Sequence, residues 1–240
     1  MGFKSTHQQS IVTMMANTTA VQEEFIDDGI EQPLLLKVAA KILSYIFHPM
    51  FIPALVTAVL LWIHPMTKLL ISDFNKPRIM VMVFLYTGFF PGIAVFLLWR
   101  LKFIKSIFLR SRQERIIPFV VAMFFFFWIY YVSRNLETFP FSLRQFLMGV
   151  FLSSASALFA NIFTKISMHG MAVGGMTGFA FMQQFADGHW QSNWSLIALL
   201  IAGIVCTARL ILKAHMPVDV YAGFVTGVLC QVAAGFMVSA

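Results

Sequence analysis

Seven apolar segments, separated by short polar stretches, decide what this chain can fold into. Crossing ~30 Å of hydrocarbon takes ~20 predominantly apolar residues per helix, and several of these segments reach that length. Of the 240 residues, 59% are hydrophobic and only 11% charged. A helix satisfies its own backbone N–H and C=O groups, which is what a lipid environment demands. The expected fold class is therefore all-α, a polytopic transmembrane helical bundle of six to seven apolar segments. Leu34 to Ile63 contains His48-Pro49 and Pro53 and should kink or split, giving an interfacial helix to about Phe47 and then a shorter crossing. Further spans are predicted over 79–99, 116–132, 143–163, from Gly170 to about Phe185, 195–212 and 217–238. Residues 1–33 are polar, with Glu23, Glu24, Asp27, Asp28 and Glu31, and read as a tail. They carry no apolar core behind a basic start, so they do not have the pattern of a signal peptide. Residues 34–240 form the bundle.

The net charge of +7 invites a nucleic-acid reading. The Lys and Arg lie mainly in short loops beside spans, however, which is the pattern of membrane orientation and anionic head groups. Membrane lipids are the expected partners, and nucleic acid is not. Cys206 and Cys230 fall inside apolar segments and read as small packing residues, with no disulfide or metal-type spacing. Gly170, Gly174 and Gly178, then Gly223 and Gly227, repeat at four-residue spacing and predict close approach of the fifth and last spans.

Against this background the stretch Arg209-Leu-Ile-Leu-Lys213-Ala-His215-Met-Pro217-Val-Asp219 stands out. An Arg or Asp at a bilayer centre costs about 2.5–3.5 kcal/mol on insertion scales. Pro217 suits the first turn of a new helix, so one helix should end near Leu212 and another begin at Pro217. His215 then occupies the turn, and Asp219 the first turn, where its charge suits the dipole. A carboxylate there can hold one ring nitrogen of His215 and leave the other to attack. Arg209 can reach an anion in the same pocket. A second cluster, Lys165-Ile-Ser167-Met-His169-Gly170, opens a helix with Ser167 as N-cap, and such helix starts bind anions. A third is the basic loop Arg100, Lys102, Lys105, Arg110, Arg112 and Arg115. These clusters follow the second, fourth and sixth spans, so alternate crossings bring all three to one face.

The spacing Arg-x5-His-x3-Asp resembles the third motif of the type-2 phosphatidic acid phosphatase family, with Ala208 where that family has Ser. Ser167 and His169 keep the spacing of its second motif, Pro-Ser-Gly-His, with Ile166 and Met168 in place of Pro and Gly. The first motif, Lys-x6-Arg-Pro, is matched at Arg110 and Pro118, while Ile117 stands at the Arg position. The resemblance implies hydrolysis of a lipid phosphomonoester or diphosphate through a phosphohistidine, with no metal and no cofactor. His215 would attack phosphorus, Asp219 orient it, and His169 protonate the leaving oxygen. Arg209, Arg112 and Arg115, with Arg110, Lys165 and Ser167, would bind the phosphate. It also implies a bacterial inner (cell) membrane, and a lipid phosphate or polyprenyl diphosphate as substrate.

Two other readings stay open. His215, Asp219 and His169 form a possible metal-ligand set, although nearby arginines would repel a cation. A non-enzymatic lipid-phosphate binder or transporter could share the bundle. Leaving out the proposed ligands and Lys213, Lys4, Lys37, Lys41, Arg100, Lys102 and Lys105 fall on the shared face, and Lys68, Lys76, Arg78, Arg134 and Arg144 on the other. That split is too even for the positive-inside rule to decide; the resemblance points the active face outward.

Overall fold

A computed structural model describes residues 32–104, 112–186 and 193–238. The expected N-terminal tail, apart from its last two residues, lies outside them. Nine helices occupy the described residues, with no strand among them. They are α1 (Leu34–Ile46), α2 (Ile52–Ile63), α3 (Pro65–Leu70), α4 (Asn75–Arg100), α5 (Arg112–Arg134), α6 (Phe141–Phe163), α7 (Met168–Ala186), α8 (Trp194–Ile211) and α9 (Pro217–Met237). Five of them, α4, α5, α6, α8 and α9, are long and apolar enough to cross a membrane. Their outward faces carry Phe159, Ile162, Leu200, Leu229 and Phe236, each more than 60% exposed. So much large apolar surface is compatible with hydrocarbon as solvent and not with water. The chain is a multi-pass membrane protein with an all-α bundle.

The first apolar segment splits at the prolines. α1 stops at Ile46, the chain turns through His48 and Pro49, and α2 restarts at Ile52 with Pro53 in its first turn. The His48 Nδ1 accepts the Met50 N–H at 3.3 Å and closes this turn. α4 stays continuous but widens to a π-helical turn over Leu85–Phe89, just before Pro91. The wide turn relieves the clash of the proline ring with the preceding carbonyls.

α7 is well enclosed, with only Phe185 and Ala186 exposed. Its residues Gly170, Met171 and Val173 to Phe179 are buried, and its glycine edge lies directly on the glycine edge of α9. A Cβ on Gly170 would lie 2.6 Å from the Val220 carbonyl oxygen, and one on Gly223 would lie 2.6 Å from that of Ser167. The two backbones are in contact, with no room for a methyl group between them. Around this pair, Phe146 and Phe179 pack with ring centroids 5.0 Å apart, among Leu143, Leu147, Val173, Ala202 and Val205. Buried Gln231 donates to the Gln145 carbonyl at 3.2 Å and ties α9 to α6.

Gly227 and Gly203 allow a test of this packing. A Cβ on Gly227 would collide with the Met171 carbonyl and the Gly175 amide, whereas one on Gly203 meets nothing within 4 Å. Gly227→Ala should destabilise the detergent-solubilised protein by about 1–3 kcal/mol, the usual cost of overpacking. Gly203→Ala should be neutral or slightly stabilising, since alanine is the better helix former. Thermal unfolding of both variants checks the pair.

Candidate active site

The glycine contact brings the N-termini of α7 and α9 side by side. Ser167, fully buried, caps α7 as its spacing predicted: its Oγ accepts the Gly170 N–H at 3.3 Å. The Ser167 N–H in turn donates to the Asp219 carbonyl oxygen at 3.1 Å, locking one helix start to the other. The Asp219 carboxylate accepts the Met216 N–H at 3.3 Å and so closes the first turn of α9. Both helices thus direct their positive ends into the same region.

His215 projects from the turn between α8 and α9. Its Nδ1 lies 2.9 Å from the Lys165 carbonyl oxygen. A carbonyl can only accept, so Nδ1 carries the proton and Nε2 keeps its lone pair. The sequence suggested Asp219 as the group holding that ring; the structure puts the Lys165 carbonyl there instead. The physical reason is the N-terminal position of Asp219, whose carboxylate is drawn back to the Met216 N–H. Burial, together with the positive charges of Arg209 and Arg115, lowers the His215 pKa to about 3. Burial, and then Arg115, also lowers that of the Lys165 side chain, with Asp219 partly offsetting them.

His169, in the first turn of α7, lies with its Nε2 3.0 Å from the Ser44 carbonyl oxygen of α1. That nitrogen is the donor, and Nδ1 is left to accept or carry a proton. Arg209, from the last turn of α8, donates through Nη1 to the Ser44 hydroxyl at 3.4 Å. Its Nε is buried with no acceptor among the described residues. Arg115, near the start of α5, is within electrostatic reach of Asp219 and Arg209. The structure therefore brings together His215, Asp219, His169, Ser167, Lys165, Arg209 and Arg115. The helical position of Arg112 is described but its side chain is not, and Arg110 lies outside the described residues. Among the described residues no three His, Cys, Asp or Glu side chains are grouped to hold a metal ion.

Two residues that the sequence left unassigned belong to this cluster. Ser44 bridges His169 and Arg209, and the His48 ring packs against that of His169 with centroids 5.4 Å apart, nearly perpendicular. Their signal was present in faint form: a histidine at the proline break of an apolar segment, and one serine a turn before it. An apolar groove of about 590 Å³ runs between α1 and α8, lined by Leu36, Ala40, Leu43, Leu200, Gly203 and Ala208 among others, with Ala208 the chain neighbour of Arg209.

The depressed His215 pKa makes a prediction about stability. The unfolded chain binds a proton near pH 6.5, whereas the folded one does not until about pH 3. Stability from this residue is then complete above about 6.5 and falls as pH drops toward 3, by up to about 1.4 kcal/mol per unit. His215→Gln should flatten part of the acid limb in melting temperature measured between pH 4 and 7.

No family model, no curated protein and no solved structure matches this chain.

Proposed function

We propose that the protein is a phosphatase of lipid phosphomonoesters or diphosphates, working at the membrane surface without a metal. The observation that carries this reading is the His215 tautomer. With Nδ1 committed to the Lys165 carbonyl, Nε2 offers a lone pair beside Arg209, whose Nε has no acceptor. A buried guanidinium donor without an acceptor is costly, and phosphate oxygens supply charge-assisted partners for it.

The chemistry runs in two displacements. His215 Nε2 attacks phosphorus as the ester oxygen departs, and His169 Nδ1 delivers the proton to that oxygen. The Ser44 carbonyl stabilises the protonated His169 ring, because it accepts from Nε2 in either charge state. A water molecule then attacks phosphorus and gives its proton to His169, the P–N bond breaks, and phosphate leaves with His215 neutral again. Arg209, Arg115 and Lys165 bind the oxygens on which charge accumulates, the preorganised stabilisation such transfers need. Asp219 offsets part of this positive charge and fixes the turn that carries His215. A cation would meet these arginines at a disadvantage, which supports metal-independent hydrolysis.

The groove beside Arg209 supports a lipid substrate over a soluble one. Its wall along α8, from Leu196 to Ile211, is about 22 Å long at 1.5 Å per residue. A hydrocarbon tail lying there leaves the phosphate at Arg209. Phosphatidic acid, phosphatidylglycerol phosphate and polyprenyl diphosphate share that chemistry, and the membrane concerned is a bacterial inner (cell) membrane.

Purified protein given these three lipids, with and without chelator, should release phosphate from at least one in both conditions. Translocation across vesicles with no release would favour a transporter, and loss of release with chelator that zinc restores would favour metal catalysis. Gly203→Phe, filling the groove, should raise KM for the long-chain substrate about tenfold, or about 1.4 kcal/mol. A short-chain analogue should be hydrolysed as before.

A further inference from the structure

Three histidine rings meet near Arg209, and each has one nitrogen fixed by main chain. His215 and His169 face carbonyl oxygens, so their fixed nitrogens are donors. His48 is the opposite case. Its Nδ1 accepts the Met50 N–H, so the ring proton must sit on Nε2. Protonating Nδ1 as well would set two N–H groups against each other, which holds this ring neutral and a donor. Among the described residues Nε2 of His48 has no acceptor, and the ring lies against His169 without a hydrogen bond to it. Arg209 is within electrostatic reach of the same ring, and its own Nε is buried without an acceptor.

We infer that His48 is a phosphate-binding residue, donating from Nε2 to the oxygen of a phosphate that Arg209 also holds. This inference rests on the phosphatase reading for its ligand, but the donor itself rests on the turn geometry. Two donors lacking acceptors, one charged and one neutral, mark where anionic oxygen belongs. The neutral donor has a specific use here. Arg209, Arg115 and Lys165 already crowd the site with positive charge, and a fourth cation would repel them. An uncharged N–H adds a contact to phosphate without that penalty. The His48 turn also joins α1 to α2, so the first apolar segment contributes to the site through Ser44 and His48 alike.

Binding of inorganic phosphate to the full-length protein in detergent, followed by calorimetry, tests the assignment directly. His48→Phe should weaken phosphate binding at least tenfold with the melting temperature retained. His48→Gln, whose amide nitrogen can take the place of Nε2, should stay within about threefold of wild type. Nitrogen-15 spectra of the histidines should show His48 as the Nε2–H tautomer and His215 as the Nδ1–H tautomer. Phosphate bound equally well by His48→Phe would overturn the inference, as would His48→Gln folded yet as weak as His48→Phe, or an Nδ1–H tautomer at His48. These readouts are separate from turnover. If His48→Phe loses phosphate while the wild type hydrolyses no lipid, the binding residue stands and the phosphatase reading falls.

Discussion

The contact on which the rest of this structure depends is the meeting of two glycine-edged backbones, α7 and α9. Without side chains between them, Gly170 lies against the Val220 carbonyl and Gly223 against that of Ser167. Such closeness lets the Ser167 N–H reach the Asp219 carbonyl across the helix starts. The same docking sets the Lys165 carbonyl in front of His215. A methyl group at one of these positions would separate the helix starts by more than a hydrogen bond tolerates. Packing, dispersion and backbone hydrogen bonding drive helix association in lipid, where burial of apolar surface gives little. The small-residue stripe thus has a chemical consequence as well as a structural one.

Much of the fold was legible because its signals are local. Apolar length predicts spans, Pro217 marks a helix start, and His48-Pro49 with Pro53 breaks the first segment where α1 ends and α2 begins. Ser167 declared itself as a cap through its position before the glycine-rich helix. The convergence of the three polar clusters followed from counting crossings. What the residues could not convey was pairing at the level of atoms. Asp219 looked like the partner of His215 by spacing, but the turn gives its carboxylate to Met216 and leaves the ring to a carbonyl that no side-chain pattern reveals. Ser44 and His48 were hidden for a related reason. They lie more than a hundred residues from the α7 and α8 groups they meet, and only the placement of α1 beside α8 brings them in.

The three histidines also illustrate how main chain can set side-chain chemistry. A carbonyl facing a ring nitrogen makes it a donor and frees the other nitrogen as a base or nucleophile. An amide N–H does the reverse. His215 and His169 both face carbonyls, one through Nδ1 and the other through Nε2, whereas His48 accepts an amide N–H, so each ring leaves a different nitrogen or a different role open. Burial, and then arginine charge, disfavours the protonated form of His215, and an anion beside it would favour that form, since opposite charge stabilises the charged ring.

The central claim is that His215 Nε2 forms a bond to phosphorus. Brief incubation of the protein with a ³²P-labelled lipid phosphate, quenched in base, should leave label on His215 as an acid-labile, base-stable phosphohistidine. His215→Ala should carry no label and release no phosphate. Label recovered on His169, or full turnover by His215→Ala, would contradict the account.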